Sequence, residues 1–154
     1  MGPHPCGVDP QRPIRVVIAD DEPLMLKLLQ HTIDGMPGLE LVGAAEDAEG
    51  AIRLVELHQP DVALIDVRMP GGGLRAARVI ASRSDTRVVA LSAISDQTSV
   101  TSMLHAGAVG YLVKGGSIDE ILDAIVSAAA GEPIRVPSAV GRPAAPTSRA
   151  AASS

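Results

Sequence analysis

Five short apolar runs separated by amphipathic stretches constrain this chain more than anything else in it. The runs are Ile14 to Ala19, Leu39 to Ala44, Val62 to Asp66, Arg87 to Ser92 and Gly110 to Lys114. Each is too short for a buried helix and suits a strand covered on both faces. Between them the spacing predicts helices. The first runs from Pro23, a residue suited to a first turn, to about Met36, with Leu24, Leu28 and Ile33 expected near one face. Asp47 reads as the N-cap of a helix through Leu57, where Ile52, Val55 and Glu56 follow a helical period. Further helices are expected over Leu74 to about Ser82 and Gln97 to Ala106. Ser117-Ile118-Asp119-Glu120 is a capping box opening a last helix that carries Ile121, Leu122, Ile125 and Val126. Gly131 ends it, and Pro133 and Pro137 prevent its continuation. Strand and helix thus alternate five times, which is the pattern of an α/β fold: a parallel sheet with helices on both faces.

The 154 residues suit one domain with its own core, expected over 14–131. Residues 1–13, with four prolines and two glycines, read as a disordered leader, and the Pro/Ala/Ser-rich 132–154 as a disordered tail or linker. The net charge of −5 argues against a nucleic-acid surface on this segment. Cys6 is alone, so neither a disulfide framework nor a cysteine metal site is available. No stretch has the length and apolarity of a membrane span, and the N-terminus lacks the pattern of a secretion signal, so the cytoplasm is the expected location. His31, His58 and His105 fall on different predicted helices and suggest no metal site.

The chemistry gathers at the strand ends. Asp20 and Asp21 follow the first strand, Asp66 closes the third, Ser92 the fourth and Lys114 the fifth. In a parallel sheet these ends share one edge, where open α/β sheets place their sites. Clustered carboxylates repel one another unless a hard cation lies among them, and Mg²⁺ takes a few carboxylates while keeping several waters. Asp20-Asp21-Glu22 has a plainer reading as helix capping before Pro23, with Asp21 and Glu22 serving the cap. The two readings are partly compatible. Asp66 ends an all-apolar strand, a costly place for a charge unless it is exposed at the edge and paired. Such a carboxylate can attack phosphorus and form an acyl phosphate. Lys114 is one of only two lysines, with Lys27, in a chain that otherwise uses arginine, and a compact ammonium suits a phosphoryl oxygen.

This set of positions resembles the receiver domain of bacterial response regulators. The stretches Asp66-Val67-Arg68-Met69-Pro70-Gly71 and Ala106-Gly107-Ala108-Val109-Gly110-Tyr111-Leu112-Val113-Lys114 look like the subgroup that usually carries a C-terminal helix-turn-helix of the LuxR type. The resemblance implies a flavodoxin-like, doubly wound sheet of strand order 2-1-3-4-5. It implies a signalling switch, not a turnover enzyme, in which Asp66 accepts a phosphoryl group from a sensor histidine kinase. Asp21, Asp66 and the backbone carbonyl of Arg68 would bind Mg²⁺ directly, and Asp20 through water. Ser92 and Lys114 would contact the phosphoryl oxygens. Tyr111, the lone aromatic residue, matches the family's switch aromatic, which turns inward as the face of the fourth helix, fifth strand and fifth helix repacks. By the same resemblance the helix from Pro23 contacts the kinase, and the switch face serves a homodimer or an output partner. The loop Gly71-Gly72-Gly73 is one residue shorter than the family's usual one, and no helix-turn-helix follows Gly131. The chain is therefore expected to be a single-domain regulator or the N-terminal fragment of a DNA-binding one.

Three other readings compete. A haloacid-dehalogenase-type enzyme needs Asp-x-Asp after its first strand, whereas the acids here are adjacent. A nucleotide or flavin carrier needs a phosphate-binding loop after strand one, where Asp20-Asp21-Glu22 would repel it. A phosphorylation-independent interaction module would keep the fold without the switch, and the intact set of five positions argues against it.

Overall fold

The computed structural model describes residues 12–93 and 96–134. The leader and tail expectations fall largely outside these residues. Strands and helices alternate through β1 (Ile14–Ala19), α1 (Pro23–Asp34), β2 (Leu39–Ala45), α2 (Ala48–His58) and β3 (Val62–Asp66). They continue through α3 (Gly73–Arg83), β4 (Arg87–Ser92), α4 (Gln97–Ala106), β5 (Gly110–Val113) and α5 (Ile118–Ala130). All five strands are parallel, in the order β2-β1-β3-β4-β5. The chain winds outward one way from β1 to β2, then crosses back to β3. The crevice at that reversal opens above the carboxyl ends of β1 and β3.

The pleat divides the core into two layers. Val17, Ala19, Ala63, Ile65, Val88 and Ala90 face α2, α3 and α4, while Val16, Ile18, Val62, Leu64, Val89 and Leu91 face α1 and α5. Each buried valine, leucine or isoleucine contributes about 1.5–3 kcal/mol by leaving water. Both faces are covered, which is why the strands read as unbroken apolar runs.

The α1 face departs from the expectation. Leu26, Leu29 and Ile33 are its buried residues, whereas Leu24 is 84% exposed and Leu28 46%. Leu24 and Leu28 are one turn apart on the solvent side, and only Ile33 of the expected trio lies in the core. In a helix this rich in leucine, an offset of one or two residues still yields an apolar stripe, so the sheet decides which stripe is used. The helix also ends at Asp34, two residues earlier than expected, with the Gly35 amide bonded to the helix carbonyls.

The caps follow the sequence closely. Asp47 accepts from the Gly50 amide at 2.7 Å, and the Ser117–Glu120 capping box is complete. Arg12 and Pro13 of the expected leader are described, and Arg12 pairs with Asp61 at 3.1 Å. Ile134, at the start of the expected tail, packs on the α1/α5 layer and over Gly110, where a Cβ would lie 2.7 Å from its side chain.

Candidate phosphoacceptor site at the carboxyl edge of the sheet

The strand register brings the edge residues together. Ala19 pairs with Ile65 and Asp66 with Leu91, so Asp20, Asp66 and Ser92 rise from neighbouring strands. Ser92 pairs with Val113, and the Lys114 amide donates to the Ser92 carbonyl at 2.8 Å, which sets Lys114 just past the end of β5. The strand itself stops at Val113, one residue short of the sequence expectation.

Asp20 and Asp66 are buried, and Asp21 is exposed at the mouth. The three can each offer a carboxylate oxygen within 4.8 Å of the others; among the described residues this is the one group of three or more potential ligands so placed. Lys114 neutralises part of the charge. Its Nζ lies 2.9 Å from Asp20 Oδ2, 2.7 Å from Glu22 Oε1 and 3.4 Å from Asp66 Oδ2. The hydrogen bond to Asp20 goes to Oδ1 at 3.1 Å, so Asp20 Oδ2 has ion-pair proximity without hydrogen-bond geometry. A buried carboxylate oxygen without a hydrogen bond keeps acceptor capacity that a cation or its water would use. The donor set, oxygen only and acidic, also suits Mg²⁺ over softer metals. The residues present therefore fit the ion.

The electrostatics agree. Burial pushes the Asp66 carboxyl up to about 7, and the charge of Asp20 pushes in the same direction. Lys114 and the Arg68 amide, which donates to Asp66 Oδ1 at 3.2 Å, oppose the rise. Lys114 loses from burial but gains more from its bonds to Glu22 and Asp20, so its ammonium is held above the usual lysine range. A neighbouring Asp20 Oδ1 accepts from the Glu22 amide at 2.9 Å and fixes the turn into α1.

The flanking loop explains the short glycine run. Gly71 and Gly72 have φ of +87° and +91°, a region that favours glycine. Gly73 packs so tightly that a Cβ would collide with the carbonyl oxygens of Asp66 and Val67. The loop therefore folds under the end of β3 and starts α3 one residue before the expected Leu74.

Tyr111 is buried, within the same core layer as Val100, Met103 and Ala106 of α4. Ser92 is buried at the end of β4. Arg68 is exposed beside the mouth.

Glu22 corrects one expectation. It occupies the N-cap position of α1, but its side chain makes no cap hydrogen bond and pairs with Lys114 instead. Nothing local in Asp20-Asp21-Glu22 signals this, because the partner lies 92 residues away.

The comparisons with known proteins decide the family. Residues 16–126 match the response regulator receiver domain. The chain belongs to the response regulator receiver domain family. Among its relatives is the transcriptional regulatory protein NarL of Mycobacterium tuberculosis, 38% identical over 83% of this chain and 60% of that protein. The response regulator GacA of Pseudomonas aeruginosa is 36% identical over 77% of this chain and 56% of its own length. This receiver domain is also similar to the solved signal receiver domain of a NarL response regulator from M. tuberculosis. That likeness has a TM-score of 0.76 at 36% identity, covering 79% of this chain and 99% of that one. The response regulator domain of Thermotoga maritima CheB aligns with a TM-score of 0.72 at 30% identity, over 79% and 100% of the two chains. The chain therefore spans about 60% or less of the length of the curated relatives named here. The receiver fold, with strand order 2-1-3-4-5, is the one the residues imply. As a receiver domain it is a signalling protein. No helix among the described residues is long and apolar enough to cross a membrane.

Proposed function

We propose that Asp66 accepts a phosphoryl group from a phosphohistidine of a sensor histidine kinase, with Mg²⁺ held by Asp20, Asp21, Asp66 and the Arg68 carbonyl. The observation that carries this reading is Asp66 itself. It is a buried carboxylate at a strand end, 3.4 Å from Lys114 and clustered with two further acids. An Asp66 oxygen attacks phosphorus, the P–N bond to the imidazole breaks, and its electron pair returns to the ring nitrogen. When bound, Mg²⁺ offsets the charge of the carboxylates and of the phosphoryl oxygens. Lys114 offers its ammonium to one phosphoryl oxygen, and Ser92 its hydroxyl to another. Hydrolysis of the acyl phosphate by water returns Asp66 to its starting state, so the protein assists its own phosphorylation and dephosphorylation.

The output is a shift of the face formed by α4, β5 and α5. Ser92 moving toward the phosphoryl group frees space beside Tyr111, and Tyr111 shares a core layer with α4, so a change at one reaches the other. Exposed Leu24 and Leu28 on α1 give a kinase an apolar foothold next to the site. The receiver unit covers 14–131, acts in the cytoplasm, and passes its signal through a homodimer or through a DNA-binding segment such as the named transcriptional relatives suggest. It binds no nucleic acid itself.

Incubating the protein with Mg²⁺ and acetyl phosphate, and weighing it intact beside Asp66→Asn, tests the reading. The expected result is a phosphoryl-sized mass gain in the wild type that is absent in the variant. A wild type that gains no mass and binds no Mg²⁺ overturns it in favour of a phosphorylation-independent module.

A further inference from the structure

Three anionic groups hold the Lys114 ammonium, and they are not equivalent. Asp20 and Asp66 are buried and belong to the candidate metal cluster, whereas the Glu22 side chain is 62% exposed and lies outside that cluster. Yet Glu22 is the nearest of the three, at 2.7 Å. It reaches Lys114 although it stands at the N-cap of α1, where a carboxylate normally satisfies a free amide of the first turn. Its side chain makes no cap hydrogen bond, so the carboxylate is committed to Lys114 and not to the helix start. An ammonium has three hydrogens, so every one directed at a carboxylate is withheld from an incoming phosphoryl oxygen.

We propose that Glu22 is a positioning residue, a displaceable latch that holds Lys114 toward the mouth of the site until a phosphoryl group replaces it. The inference rests on the reading of Asp66 as phosphoacceptor and names a regulator of that same site. Glu22 is the partner that yields, because it alone can turn into water without leaving a buried charge unpaired. The latch is electrostatic and solvent-exposed, so its strength is modest and falls with salt. Releasing it makes Lys114 available sooner, and the unphosphorylated state loses a contact that the phosphorylated state does not use.

Two measurements separate the latch from the phosphoacceptor reading. The first needs no metal and no phosphoryl group. Lys27 and Lys114 are the only lysines, and Lys27 is exposed on α1, so it serves as an internal reference for amine labelling followed by peptide mass spectrometry. In Glu22→Gln the Lys114-to-Lys27 labelling ratio is expected to rise at least twofold. An unchanged ratio overturns the latch whatever Asp66 does. The second measures binding of beryllium fluoride at saturating Mg²⁺, as a stand-in for the phosphoryl group. Glu22→Gln is expected to bind about two- to fivefold more tightly at low salt, the range of an exposed ion pair, with the gain shrinking as KCl is raised. Glu46→Gln removes the same charge from the same sheet edge, since Ala45 pairs with Ala19, and is expected to leave affinity near that of the wild type. An equal gain in Glu46→Gln reduces the effect to net charge and overturns the latch, as does weaker binding in Glu22→Gln. A higher labelling ratio with no beryllium fluoride binding in the wild type sinks the phosphoacceptor reading and, with it, the role assigned to the latch, while leaving the Glu22–Lys114 contact standing.

Discussion

Removing the Asp66 charge should make the metal-free protein more stable. Asp66 is buried, and its carboxyl is pushed up to about 7 from the 3.8 of an unhindered side chain, first by burial and then by Asp20. The folded protein therefore keeps a proton on Asp66 that the unfolded chain has already lost. Stability falls as pH rises from about 4, and the loss is complete above about 7. Three pH units correspond to about 4 kcal/mol, and water reaching the open edge of the sheet reduces this to about 2 kcal/mol. Asp66→Asn keeps the volume and removes the charge. In EDTA at pH 8 the variant should be more stable by about that 2 kcal/mol, a rise in melting temperature on the order of 8 °C for a domain of this size. At pH 5 the difference should shrink to well under half, because the wild type holds its proton there. Saturating Mg²⁺ should stabilise the wild type more than the variant and close the gap. Urea titrations followed by circular dichroism at both pH values measure all of this, and comparing the two proteins at one pH cancels the other titrating groups. Equal stability at pH 8 without metal, or an advantage independent of pH, would refute the claim that Asp66 is held in a cost-bearing position.

Two further perturbations probe the scaffold around the site. Gly73→Ala drives a methyl group into the carbonyls of Asp66 and Val67, and is expected to cost about 1–3 kcal/mol or more in a urea titration and to weaken Mg²⁺ binding. An alanine tolerated there would contradict the tight turn beneath Asp66. Ser117→Ala removes the hydroxyl that accepts from the Glu120 amide at 3.2 Å and opens the capping box of α5. A loss of about 1 kcal/mol is expected, with Mg²⁺ affinity unchanged, since the cap lies outside the carboxylate cluster.

Much of this molecule is legible in its sequence because its signals are local. Val62–Asp66 and Arg87–Ser92 have the bounds that their sequences suggest, since strands buried on both faces read as near-continuous apolar runs with polar groups only at their ends. Gln97–Ala106, the weakest of the expected helices, also has the expected bounds, and the structure shows Asp96 accepting from the Ser99 amide at its start and Gly107 in a left-handed conformation at its end. Where the signal is degenerate the reading slips. In α1 the leucines offer two overlapping stripes, and the choice of Leu26 and Leu29 over Leu24 and Leu28 depends on the angle at which the helix meets β1 and β2. The alternation of β1 (Ile14–Ala19), by contrast, places each of its apolar residues in one layer or the other without ambiguity.

The site divides the same way. The residue types and their order along the chain name Asp20, Asp21, Asp66, Ser92 and Lys114, because parallel strands must bring successive strand ends to one edge. Distances, burial and partners belong to the folded molecule alone. The charge on Lys114 is shared among Asp20, Glu22 and Asp66 only after five strands are in register, and Glu22 turns from a helix cap into an ion-pair partner through a contact spanning 92 residues. The proton affinity of Asp66 is likewise set by its burial and by the closeness of Asp20, which arises only once β1 and β3 pair in register. Local sequence fixes which backbone form each segment prefers. Coulomb and desolvation energies depend on separations through space, and only packing sets those.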